Sequence, residues 1–253
     1  DRKVYSNEIV FDGEVRADSD AFERSPTITN PTLFYATVLT EELERNGIAV
    51  TGTAKDCDDV AGYETAVDEW ELLHTHKSPP LLDILQGLMK RSQNMYAETM
   101  VRTIGYVDSG LGSRSSGVDV INRMFEPFGI DEDEYRFMDG SGLSRYNYIS
   151  PNTLIKILEG MHESDLSEEW KSTMPIAGVD GTLRRRMSDT SAEGNVRAKT
   201  GTISNTRALS GYVTTAEGEE LVFSFLVNAH LTTSSATNDV TDGILELLAD
   251  YKD

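Results

Sequence analysis

The chain has 253 residues, room for one large domain or for one domain plus part of another. With 38% hydrophobic and 26% charged residues it has the composition of a globular protein, which argues against the disordered, collagenous and membrane-spanning classes. Its 23 Lys+Arg against 43 Asp+Glu leave a formal net charge of −20, which sets it against wrapping nucleic acid or adhering to an anionic membrane surface.

Such an acid excess also suits a protein kept in solution at high ionic strength, so a salt-adapted source is one expectation. Cys57 is the single cysteine, so neither an intrachain disulfide nor a cysteine-based zinc cluster can form. The longest apolar stretch, Leu221 to Leu231, is too short for the ~20 residues a bilayer span needs and reads as a buried strand. The chain opens DRKVYSNEIVFDG, with neither an initiator Met nor a signal peptide, which reads as a processed or truncated start.

Along the chain, Asn30 and Pro31 cap and open a helix whose apolar residues Leu33, Phe34, Val38, Leu39 and Leu43 share a face, and Asn46-Gly47 ends it. Ile48, Val50 and the TGTA after them read as a strand, as does WELLHTHKS from Trp70. The break at Ser78-Pro79-Pro80 marks a domain boundary, dividing residues 1–78 from 79–253. Beyond it, two apolar stripes, Leu81 to Met89 and Met95 to Ile104, predict helices separated by a junction at RSQN. Further helices are expected from Gly117 to Pro127 and after the Ser150-Pro151 cap, with the Gly/Ser loop MDGSGLS between them. The last third reads as three antiparallel strands, VRAKTGTI, RALSGYVTT and ELVFSFLVNA. A closing helix follows, with Val240, Ile244, Leu245, Leu248 and Tyr251 on its apolar side.

Three short motifs carry chemistry: Ser92-Gln93-Asn94 at the helix junction, Asp139-Gly140-Ser141-Gly142-Leu143-Ser144 in the loop, and Lys199-Thr200-Gly201-Thr202 on a strand. On the strand, Gly201 has no side chain to block an extended peptide lying alongside, and Lys199 and Gly201 share a face. The Thr200 and Thr202 hydroxyls can bind a carboxylate, and Lys199 adds a positive charge in an acidic protein, so the site favours an anionic peptide terminus. The bland alternative is a solvent-facing lysine beside a glycine kink. At the junction, Ser92 can pass a proton and Asn94 can bridge a carbonyl and an amine; the alternative is ordinary helix punctuation.

Other clusters carry less. Ser141 lacks the glycine two residues before it that a hydrolase nucleophile elbow requires. Asp56 and Asp58 should raise rather than lower the pKa of Cys57. His74 and His76 would share a strand face, but no third ligand stands at a recognisable spacing, so no metal site is expected. The acidic runs at 56–59 and 131–134 lack the glycine and terminal glutamate of a calcium loop.

Three segments, HKSPPLLDILQGLMKRSQNMYAETMVRTIG, MDGSGLSRYNYISP, and GTLRRRM followed by VRAKTGTISNTRALSGYV, together resemble the low-molecular-mass class C penicillin-binding proteins. These are D-alanyl-D-alanine carboxypeptidase/endopeptidases. NPTLFYATVLTEELERNGIAVTG likewise resembles the end of the accessory region that this family inserts within its catalytic domain. The resemblance implies a β-lactamase/transpeptidase-like α/β fold of the α+β multi-domain type. It has an antiparallel central sheet with helices on both faces, preceded by the tail of a β-rich accessory domain. Residues 1–78 would be that remainder and 79–253 the penicillin-binding catalytic domain without its N-terminal segment.

Penicillin-recognising enzymes work through Ser-x-x-Lys, Ser-x-Asn and Lys-Thr-Gly. The second and third are present, but no serine in the chain has a lysine three positions later, so the nucleophile and its base are absent. Truncation is the simpler account, since the motifs that remain are intact; a lineage that kept only binding is the other. By resemblance the parent activity is a serine-type DD-peptidase that hydrolyses the D-Ala-D-Ala amide of peptidoglycan stem peptides through an acyl-enzyme and is acylated by β-lactam antibiotics. Ser92 would relay a proton to the departing nitrogen, Asn94 would hold the acyl-side amide, and Lys199 would supply electrostatic pull. Thr200 and Thr202 would bind the terminal carboxylate, Gly201 would leave room for the substrate backbone, and the Thr202 N–H would form half of an oxyanion hole. No metal or organic cofactor is implied, and the implied location is the periplasm or extracytoplasmic envelope. A non-catalytic peptidoglycan- or penicillin-binding module is the alternative. Open sheet edges predict self-association, or association with the chain's own missing N-terminal segment.

Overall fold

The computed structural model describes residues 7–19, 27–63 and 70–252, which fall into two compact units, Asp1–His76 and Lys77–Asp253. In the first unit, helix α1 spans Pro31–Arg45, with the Asn30 carboxamide oxygen accepting from the Leu33 N–H at 2.9 Å. At its other end Gly47, with φ 81°, lets the Gly47 N–H reach the Glu44 carbonyl and the Ile48 N–H reach the Leu43 carbonyl, both at 3.0 Å. That paired closure accounts for one departure from expectation, since Ile48 completes a helix cap and residues 48–54 form no strand. Residues 70–78 form no strand either, which leaves His74 and His76 exposed without a common sheet face. Desolvation, then the Asp58 and Asp56 carboxylates, push the Cys57 thiol above its usual range.

The second unit opens with helices α2 (Leu81–Arg91), α3 (Asn94–Ser109) and α4 (Arg114–Phe125). Helix α4 starts three residues ahead of the expected Gly117 because the Ser113 hydroxyl caps it, accepting from the Ser116 N–H at 3.1 Å; Pro127 falls in a 3-10 turn beyond its end. Helices α3 and α4 meet at Gly105 and Gly117, and around that contact Val101, Ile121, Phe125 and Ile130 form a buried cluster. A two-residue pair, β1 (Tyr135–Arg136) with β2 (Tyr148–Ile149), brackets the Gly/Ser loop. Helices α5 (Pro151–His162, capped by Ser150) and α6 (Ser167–Thr173) follow.

The strands β3 (Arg197–Ile203), β4 (Thr206–Thr214) and β5 (Glu220–Asn228) form one antiparallel sheet in sequence order, closed by helix α7 (Ser234–Ala249). Register assigns the faces. Ala198 lies opposite Gly211 and Thr200 opposite Leu209, so these share the side on which Val213, Phe223, Leu245 and Ala249 are buried together under α7. Lys199 lies opposite Ser210 and Gly201 opposite Ala208, on the other side with Tyr212, which packs against Leu158 and Met174. The Tyr212 hydroxyl donates to the Leu158 carbonyl at 2.6 Å and accepts from the Trp170 indole at 3.1 Å; burial raises its pKa to about 12. The sheet is therefore helix-covered on both faces, as expected.

The buried side of helix α7 keeps Leu245 and Leu248 of its expected apolar side but is rotated away from Val240, Ile244 and Tyr251, which are exposed. Val240 is 64% exposed, whereas Thr237, Thr241, Leu245 and Ala249 are buried. The two threonines can be buried because each hydroxyl is satisfied on its own helix: Thr237 donates to the Thr233 carbonyl and Thr241 to the Asn238 carbonyl. Among the described residues no helix is long and apolar enough to cross a membrane.

Candidate active site

Helix α2 ends when Ser92 turns into the left-handed region, φ 54° and ψ 53°, while its N–H still reaches the Leu88 carbonyl. A non-glycine residue held there is strained by roughly 1 kcal/mol or more, and surrounding structure must hold it in place. The next helix begins two residues later at Asn94, so the turn presents Ser92 and Asn94 to one cavity. Opposite them stands β3. The Lys199 ammonium donates to the Ser92 hydroxyl at 2.8 Å across a sequence separation of 107, and to the Thr200 carbonyl at 2.7 Å.

The cavity holds about 520 Å³ and brings together all six residues singled out in the sequence: Ser92, Asn94, Lys199, Thr200, Gly201 and Thr202. Among the described residues lining it, Lys199 alone carries a charge. Burial holds its ammonium below the usual lysine range. The first half of the outer edge of β3 is covered, because the Ala198 N–H donates to the Pro175 carbonyl and Ile176 bridges Arg197. Past Ala198 no strand pairs with that edge among the described residues, so an extended ligand can lie along it. At Gly201 an added Cβ would sit 3.1 Å from the Ala208 side chain, so a larger residue would both crowd the strand and narrow the cavity.

The Gly/Ser loop supplies a further wall, a role beyond the simple turn that its glycines predict. Gly140, Ser141, Gly142 and Leu143 all line the cavity. The loop is held from beneath by Asp139, whose carboxylate accepts from the Gly142 N–H at 2.6 Å, the Ser144 N–H at 2.7 Å and the Asn147 amide at 3.0 Å. Burial alone would raise the Asp139 pKa, but these hydrogen bonds, with one from Ser141, bring it below the usual carboxylate value. The Ser141 N–H is fixed by Glu98 at 3.0 Å, and any side chain at Gly140 would strike the Ala97 carbonyl at 2.5 Å. Thr182 also lines the cavity and accepts a hydrogen bond from the Thr200 hydroxyl at 2.8 Å. No sequence signal singled it out, since it belongs to a 3-10 turn with no motif of its own.

An antiparallel sheet covered by helices, with the lysine of a Lys-Thr-Gly strand facing a Ser-x-Asn turn across one cavity, brings together two of the motifs by which penicillin-recognising enzymes work. The chain belongs to the D-Ala-D-Ala carboxypeptidase 3 (S13) family, which it matches over residues 1–251. It is thus a relative of the low-molecular-mass class C penicillin-binding proteins. It is 36% identical to a D-alanyl-D-alanine carboxypeptidase of Actinomadura sp. over 99% of its own length and 46% of the relative's. The crystal structure of penicillin binding protein 4 from Haemophilus influenzae is similar, with 26% identity and a TM-score of 0.76 over 88% of this chain and 50% of that one. The TLA-1 extended spectrum β-lactamase shares the fold at 13% identity, with a TM-score of 0.50 over 87% of this chain and 83% of that one. The chain spans about half the length of the curated relatives it matches.

Proposed function

We propose that this chain forms the substrate-gripping and proton-handling part of a serine-type DD-peptidase that acts on peptidoglycan stem peptides ending in D-Ala-D-Ala. One observation carries the reading: Lys199 and Ser92, remote in sequence, are hydrogen-bonded in a cavity whose only charge among the described lining residues is positive. An anionic peptide terminus is the ligand that such a cavity in an acidic protein selects. In this reading the peptide lies along the open edge of β3 and its carboxylate is drawn by Lys199. Asn94 pairs with the acyl-side amide, and the Thr202 N–H donates to the carbonyl oxygen as charge develops on it. Ser92, bonded to the Lys199 ammonium, is placed to pass a proton to the departing amine.

The nucleophilic serine and its lysine would come from a part of the protein outside these residues, because no Ser-x-x-Lys occurs in the chain. That lack also favours a second reading, a non-catalytic peptidoglycan- or penicillin-binding module. A β-lactam, whose carboxylate mimics the peptide terminus, tests the site directly. The H. influenzae relative has been crystallised complexed with a β-lactam, which supports this choice of probe. Incubated with a labelled penicillin, the 253-residue chain should show no covalent mass shift, and it should bind reversibly in competition with a D-Ala-D-Ala peptide. Lys199→Met should weaken that binding about tenfold, the scale of one charge-assisted contact. Covalent acylation of Ser92 or Ser141 would overturn these residue roles. Covalent labelling that appears only when the rest of the protein is supplied would decide for the enzyme over the module. An extracytoplasmic location follows from the same reading, since that is where the substrate lies.

A further inference from the structure

A hydroxyl has one proton to donate, and where Thr200 directs its own decides which group meets the ligand. By register, Thr200 lies on the opposite face of β3 from Lys199. Its hydroxyl donates to the Thr182 hydroxyl at 2.8 Å, so its proton is already committed. Thr182 accepts that bond, and among the described residues no acceptor takes its own proton, while its side chain lines the cavity that holds Lys199 and Thr202. A donor that is itself accepting a hydrogen bond is strengthened by polarisation along the chain.

The position of Thr182 is built into both walls. It sits in the 3-10 turn Gly181–Leu183, between a fully buried Leu183 and Gly181 at φ 58°, where an added Cβ would come within 2.9 Å of the Lys90 carbonyl. The preceding residue, Asp180, accepts from the Lys90 ammonium at 2.5 Å with one carboxylate oxygen and from the Ile176 N–H at 3.0 Å with the other. Lys90 is two residues from Ser92, and Ile176 bridges the start of β3. The turn bearing Thr182 is therefore tied to both sides of the cavity.

We propose that Thr182 is a further substrate-binding residue, the donor to the peptide's terminal carboxylate in a relay from Thr200 through Thr182 to the ligand. This rests on the DD-peptidase reading and extends its binding site to a residue outside the three motifs. The test measures, by titration calorimetry on the 253-residue chain, the dissociation constants of an N-acetylated peptide ending in D-Ala-D-Ala and of its C-terminal amide. Thr182→Val should weaken the carboxylate peptide about tenfold, as expected for one hydrogen bond to a charged group, and change the amide less than about twofold. Thr182→Ser should stay within about threefold of the unsubstituted chain, and Thr200→Val should lose less than Thr182→Val. The inference is overturned if Thr182→Val retains the full preference for the carboxylate, if both peptides weaken equally, or if Thr200→Val alone abolishes the preference. An unsubstituted chain with no preference for the carboxylate would overturn the underlying reading, and this inference with it.

Discussion

Lys199 is charged in a setting that penalises charge, and the sign of that penalty sets a pH dependence. Burial lowers its pKa in the folded chain relative to the ~10.4 of an unfolded lysine. Between those two values the unfolded chain holds more protons, so stability rises with pH through that window, and the cost of burying the ammonium is fully present below it. Ligand binding runs the other way, because only the ammonium attracts a carboxylate. Affinity for the D-Ala-D-Ala carboxylate should therefore fall as pH rises, with a midpoint below ~10.4, and Lys199→Arg should remove that alkaline limb. Binding titrations from about pH 7 to about pH 10.5 check it; a flat profile would mean that the ammonium is not what the ligand meets. Lys199, Ser92 and Asn94 were legible as candidates because their types and spacing are chemical signatures. The role of Thr182 was not, because a threonine in a turn gains meaning only from the hydroxyl beside it.

At the level of elements, two helices show how far local pattern reaches. Asn30 and Ser150 announce helix starts that the structure has, because a cap is a contact within one turn of the chain. The buried side of α7 is rotated from its apolar stripe, keeping Leu245 and Leu248 but taking in Thr237 and Thr241, whose hydroxyls donate to carbonyls of their own helix while Arg186 also donates to Thr241. Glycines separate into those that hold elements together and those that do not. At Gly117 a Cβ would lie 2.0 Å from the Val101 carbonyl oxygen, so Gly117→Ala should destabilise by about 1–3 kcal/mol despite alanine's better helix propensity. At Gly243 nothing lies within 4 Å, so Gly243→Ala should stabilise α7 by up to ~1 kcal/mol. Urea denaturation of both variants tests the contrast, and equal effects would refute the close α3–α4 packing.

For the molecule as a whole, the charge of −20 is a cost that the few ion pairs do not remove. Arg186 and Asp242 are paired with side chains only 15% and 14% exposed, where salt screens little, but most acidic groups face solvent. Raising sodium chloride from about 0.05 to about 1 M shortens the screening length to ~3 Å and should raise the thermal midpoint. Each kcal/mol of relieved repulsion is worth about 2–4 °C. Scanning calorimetry would show the rise; a falling midpoint would mean that attractive pairs dominate.

The amino-acid order alone determined the helices from Pro31 and Pro151, the three-stranded meander and the presence of a Ser-x-Asn junction and a Lys-Thr-Gly strand, because caps, periodicity and motif chemistry are written within a few residues. Only the tertiary structure decided that Ile48 closes a helix instead of starting a strand, that α7 buries its threonines, that Asp139 holds a loop against the cavity and that the Thr200 proton is spent on Thr182. Those outcomes depend on which groups meet across long stretches of chain, and a hydrogen bond between distant residues leaves no periodic trace in the sequence.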